Sequence, residues 1–360
     1  MDCAQTEWLS DKAYLQQFRK KVAEQRIPLS GSADLTHRCN LRCIHCYLGD
    51  KEVINGKCGK ELSTAQWISI VDQITDAGCL YLLITGGEPL LRKDFGDIYR
   101  HAKKKGLLVT VFTNGTLITD AIIELFSDLP PRAVEISLYG ATAPTYEKIT
   151  GVHGSYDKCR DGIEKLLNHQ INLRLKTILM TLNHHEFYDI ENIAKEYGVK
   201  FRFDPAIFPC SNGDKAPVQM RIQPGEAVKI EFSDKDRSRQ WKDYFERMKG
   251  IRISDALYKC GAGRNSFHID PYGQLQPCLM VSHLQYNLLA GDFRSGWGEV
   301  LPQLKGKQIC ASSLCNNCEK ISLCGFCPAF FELETGAEDI CSDYLCDLGQ
   351  YRFQAIEAAN

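Results

Sequence analysis

Cysteine placement constrains this chain more than any other feature. Its 360 residues include 17 cysteines, and they are not scattered. Three fall within positions 39 to 46 and nine between positions 260 and 346. Residues 47 to 259 hold only Cys58, Cys79, Cys159 and Cys210, and Cys3 stands apart near the start. The N-terminal Met-Asp-Cys-Ala-Gln-Thr-Glu lacks the basic start and apolar run of a signal peptide, which points to the cytoplasm. Disulfides do not persist there, so close-spaced cysteines read as metal ligands. The fold must then bring two separate cysteine groups to metal.

Charge and composition exclude several classes. Lys+Arg is 43 and Asp+Glu is 45, a formal net charge of -2. So balanced a chain has no electrostatic footprint for nucleic acid or an anionic membrane. The longest strongly apolar stretch, from Cys79 to Thr85, is far too short to span a bilayer. With 44% hydrophobic and 24% charged residues, the chain is globular.

Between the cysteine groups, strand and helix patterns alternate. Residues 11 to 26 read as a short polar helix. Trp67, Ile70, Val71 and Ile74 recur at i, i+3, i+4 and i+7, with Ser63 as N-cap and Gly78 as the stop. Cys79 to Thr85 is a continuous apolar run, as in a strand buried on both faces. Expected strands start at 32, 79, 107, 133, 172 and 200, and the spacing suits right-handed βαβ units. This is a parallel α/β sheet, open or curled into a partial barrel, with its chemistry at the carboxyl ends of the strands. The expected divisions are an N-terminal helical extension (1–31), the α/β core (32–205), a linker with one helix at 226 to 249 (206–259), a cysteine-rich module (260–346) and a tail (347–360). The module has too little apolar sequence for a large core, so bound metal is expected to hold it together.

Cys39, Cys43 and Cys46 follow the first strand at Cys-x3-Cys-x2-Cys spacing. Three thiolates so placed wrap one face of an iron–sulfur cube and leave one iron without a protein ligand. A zinc site would want a fourth Cys or His, and a zinc loop with a distant ligand stays open as an alternative. Gly86, Gly87, Glu88 and Pro89 close the second strand, and Asn114 and Gly115 close the third. Glycines there let backbone approach a ligand closely. Either turn alone is unremarkable as a loop; three such strand ends in succession point at one pocket.

The joint pattern of the cysteine loop and Gly-Gly-Glu-Pro resembles the radical S-adenosylmethionine (SAM) superfamily over residues 32 to 205. The resemblance implies a partial (β/α)6 barrel like part of a TIM barrel. It implies that Cys39, Cys43 and Cys46 hold a [4Fe–4S] cluster whose open iron chelates SAM. Gly86, Gly87 and Glu88 would position the SAM amino group, and Ser137 and Lys176 would contact its ribose or carboxylate. One electron from the cluster then cleaves SAM to a 5′-deoxyadenosyl radical, which abstracts hydrogen from carbon.

The later cysteines are Cys260, Cys278, Cys315, Cys318, Cys324, Cys327, Cys341 and Cys346, with Cys310 among them. Their spacing resembles the SPASM module, which carries auxiliary iron–sulfur clusters, though two residues rather than three precede Cys327. The double Cys-x2-Cys also fits a zinc ribbon. By the resemblance, Cys260, Cys278 and Cys327 serve a nearer cluster, and Cys315, Cys318, Cys324 and Cys346 an outer one. Cys341 is a spare, a last ligand in place of Cys346, or the fourth ligand of the nearer cluster. Three [4Fe–4S] clusters would bring about 12 irons per chain. Cys79 and Cys159 read as small buried core residues, and Cys210 as a loop residue.

Such a module implies a peptide substrate and an oxidative outcome: a thioether or carbon–carbon cross-link in a ribosomally made peptide. It also implies an external electron donor of flavodoxin or ferredoxin type. Only 38 residues precede Cys39, too few for a leader-binding winged helix, so a separate leader-binding protein or the module itself is expected to hold a leader. A sulfatase-maturase role fits less well, because Leu279 follows Cys278 where those enzymes carry an Asp. A small-molecule or tetrapyrrole radical enzyme and a plain iron–sulfur electron carrier are the other readings. Acid–base candidates are Tyr139, His153, Asp204 and Cys210.

Overall fold

The computed structural model describes residues 10–49, 60–249, 255–310 and 313–358. Cys3 and Cys58 lie outside the described residues. Six parallel strands form the centre: β1 (Ser30–Thr36), β2 (Tyr81–Gly86), β3 (Leu108–Thr113), β4 (Ala133–Ser137), β5 (Leu173–Ile178) and β6 (Lys200–Asp204). They lie side by side in chain order. α1 (Asp11–Glu24) precedes them. The helices between the strands are α2 (Thr64–Asp76), α3 (Phe95–Lys104), α4 (Asp120–Asp128), α5 (Ala143–Thr150), α6 (Ser155–Asn168) and α7 (Phe187–Glu196).

Local sequence accounts for these elements. Ser63 and Gln66 close a reciprocal capping box at the start of α2, satisfying two amides that the first turn leaves bare. Trp67, Ile70, Val71 and Ile74 then fall on one buried face. Against them lie strand residues such as Ile84, Val109, Val111 and Ile136, all wholly buried. Burying each such side chain contributes about 1.5–3 kcal/mol. Cys79 and Cys159 are buried in this core, as expected.

The sheet curls without closing. Ser32 on β1 and Arg202 on β6 line one cavity although they stand on the first and sixth strands. The six expected strand positions, the parallel order and the partial barrel are borne out.

A seventh parallel strand is the main departure from expectation. β7 (Ser266–Ile269) pairs with β1, aligning Ser32 with His268 and Ala33 with Ile269. Two short antiparallel strands, β8 (Gln274–Gln276) and β9 (Tyr286–Asn287), extend the same sheet. Gly31 is needed at the joint, since a Cβ there would overlap the Phe267 ring.

The expected single helix at 226 to 249 is two, α8 (Pro224–Phe232) and α9 (Lys235–Met248). Asp234 breaks the run, its side chain accepting from the Arg237 amide as the N-cap of α9. α10 (Pro328–Thr335) and α11 (Asp343–Glu357) complete the C-terminal part. α11 runs across the division expected at 346/347. It is pinned to α8 by a buried pair, in which Arg352 donates to Glu231 at 2.6 and 2.7 Å. No helix among the described residues is long and apolar enough to cross a membrane.

Candidate active site

The carboxyl ends of the six strands surround a cavity of about 350 Å³. Cys39, Cys43 and Cys46 form one wall, on the loop that leaves β1. Backbone bonds hold that loop in place. Arg42 and Ile44 amides donate to the Thr150 and Ile149 carbonyls at the end of α5, at 2.8 and 3.1 Å. Asn114 donates to Asn40 at 2.9 Å and points the same amide at Cys39 Sγ, 3.9 Å away.

The three thiols share one neighbour, the Tyr139 hydroxyl. Burial first, then Cys43, Cys46 and Cys39, push its pKa up. His45 packs edge-on against the Tyr139 ring, with centroids 4.5 Å apart, and burial pushes its pKa down to about 4. The three thiols supply the sulfur donors that an iron–sulfur cluster needs, and the His45 ring is packed on Tyr139 beside them.

Gly86 and Gly87 sit beneath this loop because nothing larger fits. The Gly87 amide donates to the Thr36 carbonyl at 2.8 Å, and the Glu88 amide to the Arg38 carbonyl at 2.9 Å. Gly86, Gly87, Asn114, Ser137 and Lys176 all line the cavity, whereas Glu88 and Pro89 do not. The Glu88 carboxylate is wholly buried and braces neighbouring strand ends instead. It accepts from Thr113 Oγ1 and the Asn114 amide, both at 2.8 Å, and from the Leu90 amide at 3.1 Å. The Glu88 carboxylate thus ties β2 to β3.

Lys176 lies over the Phe112 ring, Nζ 3.1 Å from its centroid. Burial, then the neighbouring Arg202, lowers its pKa to about 7. Glu135 is occupied by Arg202 at 2.9 Å and Arg174 at 3.6 Å, so among the described residues Lys176 has no ion pair of its own. On the β5–β6 wall it stands with Arg202 and Asp204. Of the acid–base candidates, Tyr139 and Asp204 line the cavity. His153 is fully exposed on the far side of α5, paired with Glu147. Cys210 is buried, donates to the Cys46 carbonyl at 3.4 Å, and is pushed up to about 11 by burial.

Strand-pattern reasoning missed the wall made by β1 and β7. Ser32, Asp34 and His268 line it, with Tyr47 above. Ser32 and His268 Nδ1 are 2.9 Å apart, which fixes the ring. Only the alternation of β1, with Ser32 and Asp34 on one face, hinted at an inward carboxylate.

The C-terminal thiols fall into two groups. Cys278 lies beside Cys327 and Cys260, and burial pushes its pKa up to about 11. Cys315, Cys318, Cys324, Cys341 and Cys346 form the other group. Cys341 is a hydrogen-bond partner of both Cys315 and Cys346, which places it in the outer group and not with the nearer three.

A model of the radical SAM superfamily matches residues 34–197, which contain the cysteine loop, the two glycines and Lys176. Residues 34–197 are a radical SAM domain. The chain is an enzyme with a cysteine-rich C-terminal part, and the domain implies a [4Fe–4S] cluster and SAM. It is 28% identical over 339 residues to the AdoMet-dependent heme synthase of Methanosarcina barkeri, covering 88% of this chain and 95% of that one. It is 28% identical over 317 residues to mycofactocin maturase MftC of Mycolicibacterium smegmatis, covering 84% and 78%. Streptococcus suis SuiB, solved with its precursor peptide SuiA, has the same fold: TM-score 0.72 at 19% identity, over 96% of this chain and 83% of that one.

Proposed function

We propose that this radical SAM enzyme is a peptide maturase that forms a side-chain cross-link, a thioether or carbon–carbon bond, in a ribosomally made peptide. The maturase relatives support a peptide substrate. The observation that carries the reading is a cysteine triad opening on the same cavity as an unpaired lysine, with two further thiol groups downstream.

Cys39, Cys43 and Cys46 would hold the SAM-binding cluster. Bound there, cluster and SAM together supply a 5′-deoxyadenosyl radical. The chain's own part is geometric. Gly86 and Gly87 keep backbone close to the bound amino acid moiety. Lys176 offers a cation to its carboxylate, and Ser137 and Asn114 complete the wall. Leu41, Phe112, Ile207 and Phe208 exclude water from the rest of the cavity. Cys260, Cys278 and Cys327 would hold a nearer auxiliary cluster. Cys315, Cys318 and Cys324, with Cys341 or Cys346, would hold an outer one, making three clusters. A cytoplasmic enzyme of this kind would draw electrons from a flavodoxin or ferredoxin type donor. A separate small protein or the C-terminal cysteine-rich part would hold the leader.

The test is anaerobic incubation of iron-loaded protein with dithionite and SAM, then co-expression with a short open reading frame encoded beside its gene. Formation of 5′-deoxyadenosine and loss of two hydrogens from the peptide support the reading. Fully loaded protein that forms no 5′-deoxyadenosine is an electron carrier. A tetrapyrrole substrate is the second reading, favoured by the heme synthase match along nearly its whole length. Conversion of an iron porphyrin but of no peptide would decide for it.

A further inference from the structure

Asp34 is wholly buried in the cavity wall, and its partners crowd one oxygen. Tyr47 donates to Oδ2 at 3.2 Å. His37 Nε2 stands 3.4 Å and His268 Nε2 3.8 Å from that same atom. Oδ1 is buried and has no hydrogen-bond partner. Leaving such an acceptor bare costs about 1–3 kcal/mol, more when it is charged. Among the described residues, no lysine or arginine pairs with Asp34, and burial of His268 favours its neutral form. Among the described residues, Oδ1 thus lacks a donor and the carboxylate a permanent counter-charge.

The opposite wall carries Lys176 and Arg202 together with Asp204. Apolar side chains, among them Leu83, Phe112, Ile207 and Leu279, separate the two ends. His268 comes from β7, outside the residues that match the superfamily model. The Asp34 wall is therefore completed by the C-terminal part of this chain.

We propose that Asp34 Oδ1 anchors a cationic N–H donor of the substrate, a primary ammonium group, inside the cavity. The proposal rests on the cavity being the substrate site of the enzyme proposed above. It narrows the substrate to one that presents an ammonium on an apolar body toward β1. Buried hydrogen-bonded charge pairs lose roughly tenfold or more in affinity when one partner is neutralised.

Benzylammonium is the probe, with benzyltrimethylammonium as a cation of equal charge that has no N–H. Thermal shifts of the iron-loaded, SAM-saturated protein are titrated with each, anaerobically. Benzylammonium is expected to raise the midpoint and benzyltrimethylammonium to leave it unchanged. D34N should weaken the benzylammonium response roughly tenfold or more, and D34E should keep the preference. Equal responses to the two cations in the wild type overturn the proposal, whatever the variants do. So does a D34N protein that responds as the wild type does. If saturating SAM abolishes the benzylammonium response that SAM-free protein shows, Asp34 serves the SAM ammonium and the proposal also falls. Wild-type production of 5′-deoxyadenosine is scored separately, so failure of the enzyme reading is not mistaken for failure of the cation site.

Discussion

Replacing Gly87 with alanine should empty the N-terminal cluster while leaving the rest of the protein folded. A Cβ at that position would stand 2.7 Å from both the Arg38 carbonyl carbon and the His37 oxygen, and closer still to the Arg38 oxygen. Ordinary contact begins at 3.4 Å, so backbone must give way by about 1.1 Å at the Arg38 oxygen and about 0.7 Å at the other two atoms. The atoms in the way are backbone and cannot swing aside. Moving them disturbs the Gly87-to-Thr36 and Glu88-to-Arg38 hydrogen bonds, each contributing about 0.5–1.5 kcal/mol. Overpacking adds about 1–3 kcal/mol. Arg38 directly precedes Cys39, whereas a metal ligand tolerates only about 0.2 Å of misplacement. G87A should therefore lose about 4 of about 12 irons and its 5′-deoxyadenosine production, with the auxiliary clusters retained. Iron and sulfide analysis with low-temperature EPR measures this. G96A is the control: its Cβ meets only Leu125 at 3.8 Å, in a helix where alanine is favoured. Full iron loading and SAM cleavage in G87A would refute the argument that this glycine sets the cysteine loop.

Three further outcomes are expected. C341A and C346A should each keep full iron, because either thiol can complete the outer group, while the double variant should lose about 4 irons per chain by chemical analysis. SAM affinity, measured by equilibrium dialysis, should weaken as pH rises through about 7 because only protonated Lys176 attracts a carboxylate, and K176M should flatten that profile. R352A leaves Glu231 buried without its partner, so chemical denaturation should show a loss of about 3–5 kcal/mol, and E231Q/R352M should recover part of it.

The central strands were legible because β2 and β3 are apolar runs, β5 and β6 alternate apolar with polar residues, and helical patterns separate them. The cysteine loop was legible because its spacing is local. β7 was not: Ser266-Phe-His-Ile269 is four residues long in a segment broken by Gly, Pro and Cys, and only its pairing with β1 makes it a strand. Asp34 escaped notice for a related reason. A charge inside a short strand ordinarily reads as solvent-facing, and what buries it is a wall brought from more than two hundred residues away. What the Glu88 carboxylate does within the fold was not legible either, since its bonds to Thr113 and Asn114 form only when β2 and β3 lie side by side. The allocation of Cys341 needed three dimensions, because α11 brings Cys346 back beside it.

β7 makes the two halves inseparable in practice. Cutting the chain after the sixth strand would strip β1 of its neighbour and bare a row of amides and carbonyls, the kind of edge along which chains aggregate. A graft that trades this C-terminal part for that of a relative must therefore bring a replacement for residues 266 to 269, in register, or the catalytic half will come out of solution before its chemistry can be compared.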